Sequence, residues 1–385
     1  MLVAPMTSPD WLPTVRRAAA VVTDGGGMTC HAAGVARELR KPCIVGARTA
    51  TTTLVDGQIV TVDGGTGEVL AGDVAIAPER PRAAPGPVTA TKVYVRIGMP
   101  DTAEAVAHED VDGVGLLRAE FMLTEALDGR HPNEVIAAGE ADKFVDNMAA
   151  SLERVARAFA PRPVIYRATD LRSNEFRGLV GGEDYEPVER NPMIGYRGCY
   201  RYVHDAGVFD LELAALARVR RHYPNVHLMI PFVRTRWELE QCLRLVDASP
   251  LGSHRTMQRW VMAEVPSVVY WLPEYFALGI HGVSIGSNDL TQLVLGVDRD
   301  SESCAELFDE SDPAVLDVIG RIITIAREHG REVSLCGRIA SARPEYTEQL
   351  VRLGITSLSV DPEAAPLVRR TVAAVEQRIL LEQRR

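Results

Sequence analysis

A chain of 385 residues has the length for two domains, one small and one of barrel size. A hydrophobic fraction of 46% with 24% charged residues is that of a globular protein, and a net charge of −10 argues against a nucleic-acid partner. No apolar run of about 18 residues offers a membrane span, and an opening that carries Pro5, Pro9, Asp10 and Pro13 has no apolar core of a signal peptide. Cys30, Cys43, Cys199, Cys242, Cys304 and Cys336 lack CxxC spacing, which suits a reducing cytoplasm better than a zinc site or a disulfide framework.

Residues 1–77 mix short strand-like runs with a helix. Gly25, Gly26 and Gly27 lead through Met28, Thr29 and Cys30 to His31, and the small residues that follow continue a helical pattern. That layout sets His31 near a helix N-terminus, where backbone N–H groups and the helix dipole favour an anion. A neutral imidazole is also a nucleophile able to carry a covalent intermediate. A histidine capping a helix after a flexible loop fits the spacing equally well. Residues 56–65 predict a turn, a strand and another turn. Four prolines among alanines make 78–91 a stiff, solvated linker.

From residue 92 short β-rich runs alternate with helical stretches. Eight such runs occur at 92–97, 113–117, 163–167, 226–231, 260–264, 282–285, 332–336 and 357–360, with helices expected at 212–222, 235–246, 313–329 and 344–353. This alternation predicts an α/β fold, a (β/α)8 barrel over 92–385. Arg118, Arg167, Glu264, Asn288 with Asp289, and Cys336 then fall at or just past the C-terminal ends of five strands, the face on which such barrels build active sites.

Glu264 and Asp289, carboxylates at neighbouring strand ends, suit Mg2+, a cation that takes oxygen ligands and keeps waters or substrate oxygens. Taken singly, a strand-end glutamate more often sits in an ion pair. Arg118, Arg167 and Arg299 suit a phosphate, since the planar guanidinium meets its oxygens in pairs and never loses charge. A surface salt bridge is the commoner fate of any one arginine. Cys336 reads by default as a buried apolar cysteine.

The words around these residues carry more. Gly26-Gly27-Met28-Thr29-Cys30-His31-Ala32-Ala33, with Pro42-Cys43-Ile44-Val45-Gly46, resembles the phosphohistidine segment of the phosphoenolpyruvate-utilising enzymes. The resemblance covers nearly the whole chain. It implies a small phosphohistidine (swivelling) domain over 1–77, lacking its first strands, and a phosphoenolpyruvate- or pyruvate-binding barrel over 92–385. The strings Ala263-Glu264-Val265-Pro266-Ser267 and Ser284-Ile285-Gly286-Ser287-Asn288-Asp289-Leu290 are similar to the family's metal-binding segments. They imply Mg2+ on Glu264 and Asp289 and a substrate contact from Asn288. By the same resemblance Arg118, Arg167 and Arg299 bind phosphate, Arg197 in Asn191-Pro192-Met193-Ile194-Gly195-Tyr196-Arg197-Gly198 is a further substrate-site residue, His31 is phosphorylated, and Cys336 moves the proton at C3 of the pyruvyl group. Leu228-Met229-Ile230-Pro231-Phe232-Val233-Arg234-Thr235 and Leu307-Phe308-Asp309-Glu310 resemble the phosphoenolpyruvate synthase branch.

Two departures stand out. Arg338-Ile339-Ala340 replaces the family's Gln-Ala-Pro after Cys336-Gly337, putting a cation beside the proposed proton donor, and the family's ATP-grasp domain is missing. The expectation is therefore the C-terminal half of a split phosphoenolpyruvate synthase, served by a separate ATP-grasp protein and dimeric through the barrel. A phosphocarrier charged by phosphoenolpyruvate, or an altered relic that binds pyruvate, are the alternatives.

Overall fold

The apolar runs of the first seventy residues are short, and so are the strands they form. The structure, a computed structural model, describes residues 1–7, 11–27, 30–39, 41–74, 86–298 and 304–384. It divides into two compact units, Met1–Ala83 and Ala84–Arg385. In the first, β1 (Leu2–Ala4), β2 (Val21–Thr23) and β3 (Cys43–Ile44) make a parallel sheet in that order. The helices Leu12–Arg17 and His31–Glu38 lie on the two crossovers. The expected strand at 56–65 is β4 (Val60–Asp63), which forms an antiparallel hairpin with β5 (Glu68–Ala71). Ala20, Val22, Ile44, Ala50 and Val62 pack together as one buried cluster, and Val15, Val21, Val35 and Ala36 are buried as well.

The second unit is a closed barrel of eight parallel strands: β6 (Lys92–Ile97), β7 (Val114–Arg118), β8 (Val164–Arg167), β9 (Val226–Ile230), β10 (Arg259–Ala263), β11 (Gly282–Gly286), β12 (Glu332–Cys336) and β13 (Ser357–Val360). Each strand coincides with a run expected from the sequence to within one residue at either end. The helices found at Gly207–Arg220, Arg236–Ala248, Pro313–Glu328 and Pro344–Leu353 match those expected, the first starting earlier.

Alternation along the strands sorts the side chains into two sets. Val93, Val95, Ile97, Val164, Tyr166, Val261, Ala263, Val283 and Ile285 point outward into the main core under the helices. Leu116, Ile165, Met229, Trp260, Met262 and Cys336 pack together inside the barrel. The inward residues at the C-terminal strand ends therefore meet above a filled interior. The longest helix between strands, Ala141–Phe159, buries Phe144, Met148, Leu152, Val155 and Phe159, a stripe at helical spacing.

The expected linker at 78–91 lies largely outside the described residues; its last part is fixed on the barrel unit. Gly86 N–H donates to Asp110 Oδ2 at 2.8 Å, and the N–H groups of Ala90 and Thr91 donate to the two carboxylate oxygens of Glu376 at 2.9 and 2.8 Å. Among the described residues no helix is long and apolar enough to cross a membrane.

Candidate active site

His31 is the first residue of the helix His31–Glu38, with Cys30 extended at the N-cap. The chain enters through Gly26 at φ +95°, where an added Cβ would come within 2.8 Å of Cys30 Sγ. The ring is half-buried, and Thr7 Oγ1 lies 3.4 Å from its Nδ1. A helix start beneath a histidine held on one nitrogen suits an anion on the ring.

At the barrel's C-terminal mouth three buried carboxylates converge. Asp170, just past β8, Glu264, directly after β10, and Asp289, in the first turn of the helix Ser287–Leu295, each offer an oxygen within 4.8 Å of the others. Arg197 holds two of them: its Nε and Nη2 donate to the two oxygens of Asp170 at 3.0 and 2.6 Å, and Nη2 reaches Asp289 Oδ2 at 3.1 Å. Arg167 Nη1 stands 3.8 Å from Glu264 and 3.9 Å from Asp170. The Phe232 N–H donates to Glu264 Oε2 at 2.9 Å, and the Phe232 ring lies 4.0 Å beneath the Arg197 guanidinium. Phe232 takes φ +49°, a left-handed conformation rare for a bulky residue and typical of functional sites. Burial, then the charges of Asp170 and Asp289, push the Glu264 carboxyl up to about 8 against the pull of Arg167 and Arg197. Three buried carboxylates thus face two guanidiniums. An oxygen-only donor set, in which a cation could take the place of the Glu264 proton, fits a hard divalent cation.

The other side of the mouth is cationic. Arg118 and Arg167, the last residues of β7 and β8, are direct register partners. Arg167 Nη2 donates to Glu120 Oε1 at 2.7 Å, and the same oxygen accepts the Asp170 N–H at 2.9 Å. Cys336 ends β12, 6% exposed. Burial pushes its thiol up, and Arg96, Arg118 and Arg167 pull it down. Asn288 is half-buried between Ser287 and Asp289, and Arg299 lies outside the described residues. Arg338, also half-buried, acts on the Glu310 carboxyl, which burial raises and which Arg96 and Arg338 lower.

Arg197, which the resemblance assigns to the substrate site, donates to Asp170, Asp289 and the Met193 carbonyl. Sequence reasoning passed over Asp170, Arg96 and Glu120. Asp170 had a signal, standing three residues after Arg167 in the same strand-end string. Arg96 had another: a charged residue inside the otherwise apolar run Val93-Tyr94-Val95-Arg96-Ile97 is unusual in a parallel strand covered on both faces.

Two family models match. That of the PEP-utilising enzyme, PEP-binding domain covers residues 79–377, and that of the PEP-utilising enzyme, mobile domain covers residues 1–67. The chain is 47% identical to phosphoenolpyruvate synthase of Aeropyrum pernix over 99% of its own length and 49% of that protein's. With phosphoenolpyruvate synthase of Pyrococcus furiosus the identity is 42%, over 98% of this chain and 47% of the relative. With that of Deinococcus radiodurans it is 40%, over 94% and 50%. The chain spans about half the length of these curated relatives. It belongs to the PEP-utilising enzymes.

Proposed function

We propose that the chain interconverts pyruvate and phosphoenolpyruvate through a phosphohistidine at His31, as part of a phosphoenolpyruvate synthase. The observation that supports this best is the convergence at one barrel mouth of a buried carboxylate cluster, strand-end arginines and a buried thiol. Glu264 and Asp289 would hold Mg2+, with Asp170 beside them. When bound there, the ion supplies a Lewis acid for the pyruvate carbonyl and its enolate.

The remaining steps belong to the protein's own groups. Cys336, as thiolate, takes a proton from C3 of pyruvate; the C–H electron pair becomes the C2–C3 double bond and the carbonyl pair moves onto oxygen. In the opposite direction the thiol returns that proton. Arg118 and Arg167, joined by Arg299, face the phosphoryl oxygens, and Asn288 contacts the substrate. The enolate oxygen attacks phosphorus while the bond to the His31 nitrogen breaks and its electron pair returns to the ring. Arg197 keeps Asp170 and Asp289 in place as the carboxylates take up their ligands. A separate ATP-binding protein as donor to His31, a dimer through the barrel and a cytoplasmic location complete the reading.

The test is hydrogen exchange at C3 of pyruvate in deuterated buffer with Mg2+. Wild type should exchange. Cys336→Ser should lose about 10²–10⁴-fold of that rate while pyruvate still binds, the usual contribution of general acid–base catalysis. Exchange at the wild-type rate in Cys336→Ser would remove the thiol from the mechanism.

A further inference from the structure

Arg96 is a buried cation of the mouth to which the reaction just described gives no part. Its neighbours Val95 and Ile97 pack outward into the core, so Arg96, like Tyr94, faces the barrel interior. It is 7% exposed. Its Nη2 donates to Asp361 Oδ1, one residue beyond β13, at 2.6 Å. It also hydrogen-bonds the Cys336 sulfur. One strand, β13, separates the two: Cys336 is in register with Ser359, and Ser359 with Tyr94. The inward residues between them are small, Ser334, Ser357 and Ser359, all fully or almost fully buried, which leaves room for a long guanidinium arm to cross. A buried arginine fixed at one end by a carboxylate keeps its remaining donors aimed in one direction.

We propose that Arg96 is a positioning residue for Cys336: tethered by Asp361, it holds the sulfur at the mouth and keeps a cation on it through the C3 proton transfer. Arg118 and Arg167 act on the same thiol from β7 and β8, while Ser287 Oγ lies 3.5 Å from the Cys336 backbone carbonyl and is bonded to Glu310, whose carboxyl both Arg96 and Arg338 lower. Burial alone favours the neutral thiol. The guanidinium offsets that preference, so that sulfur can leave the proton on C3 as readily as take it. The inference rests on the reading of Cys336 as the C3 acid–base group.

The experiment is a pH titration of the thiolate absorbance of the full chain, taken as the difference between each protein and its Cys336→Ser counterpart. Arg96→Met should raise the midpoint by about one pH unit or more, the size of effect a neighbouring charge has on a buried group. Arg96→Lys should recover part of the shift. The pH profile of C3 exchange should move in parallel, with kcat falling and the KM for pyruvate nearly unchanged. Where Arg96→Met does not fold, Arg96→Gln carries the same test. An unmoved midpoint in a folded variant overturns the inference and leaves the acid–base reading of Cys336 intact. Full C3 exchange in Cys336→Ser would instead sink that reading, whatever the midpoint does.

Discussion

Arg197 is the residue that makes the carboxylate cluster tolerable. Two buried acids share one guanidinium, and removing it would take away the hydrogen bonds it gives Asp170 and Asp289, with Arg167 still 3.9 Å from Asp170. Breaking a buried pair in this way costs roughly 3–5 kcal/mol. Cation affinity should respond to that charge with a definite sign. Glu264→Gln and Asp289→Asn remove negative charge and a ligand, and should weaken Mg2+ binding by more than the roughly 10–100-fold typical of losing a supporting partner. Arg197→Met removes a competing cation and should tighten it. Calorimetric titration of the three variants checks both signs; unchanged affinity in all of them would place the cation elsewhere. Strand-end position and local wording coincide at Glu264, Asp289 and Cys336, which is why sequence reading singled them out. Asp170 escaped because its oxygens meet the other two only through the pairing of β8, β9, β10 and β11, which no local pattern records.

At the scale of elements, the loop after β8 is held from three sides. Glu212, in the helix Gly207–Arg220 and 1% exposed, accepts from Tyr166 Oη at 2.6 Å and from the Thr169 N–H at 3.0 Å. The Tyr202 hydroxyl donates to the Thr169 carbonyl, and Glu120 takes the Asp170 N–H. Burial pushes the Glu212 carboxyl up to about 7, against the lowering effect of Tyr166 and Thr169. The folded state therefore holds a proton that the unfolded chain releases in the ordinary carboxylate range, and stability from this group falls as pH rises toward and through about 7. Between about pH 5.5 and 8 the loss should be roughly 2 kcal/mol, and Glu212→Gln should abolish it. Urea unfolding at the two pH values measures the difference; equal slopes in both proteins would show that Glu212 stays charged throughout. A second element is the start of the helix Gly198–His204. Gly198 has φ +59°, and a Cβ there would approach Phe232 Cβ to 2.6 Å and the Pro231 carbonyl to 2.9 Å. Gly198→Ala should cost roughly 1–3 kcal/mol in the same assay, because both backbone strain and the seat of Arg197 are affected; a stability equal to wild type would show that the Pro231–Phe232 turn yields.

For the whole molecule, the barrel was the legible part. Its strands are short, largely apolar runs of four to six residues that alternate with helical stretches such as Ala141–Phe159 and its buried stripe, so period and order identify the architecture. The first unit was legible mainly at His31. Strands of three, three and two residues leave little periodicity to read, and β5, whose residues are only half-buried or exposed, gave none. The same shortness has an energetic consequence. A core built largely from alanine and valine on strands of two or three residues should open at lower free energy than the barrel interior, so amides of β1–β3 should exchange faster than those of β6–β13. Equal protection in both units would contradict that ordering.

In the proposed function, His31 carries phosphate to and from the pyruvyl chemistry of the barrel. Incubation of the chain with phosphoenolpyruvate and Mg2+, followed by intact-mass measurement, tests it most directly. One added phosphoryl group is expected, acid-labile, mapped to His31 and absent in His31→Ala. An unchanged mass in wild type, with Mg2+ and phosphoenolpyruvate both shown to bind, would contradict it.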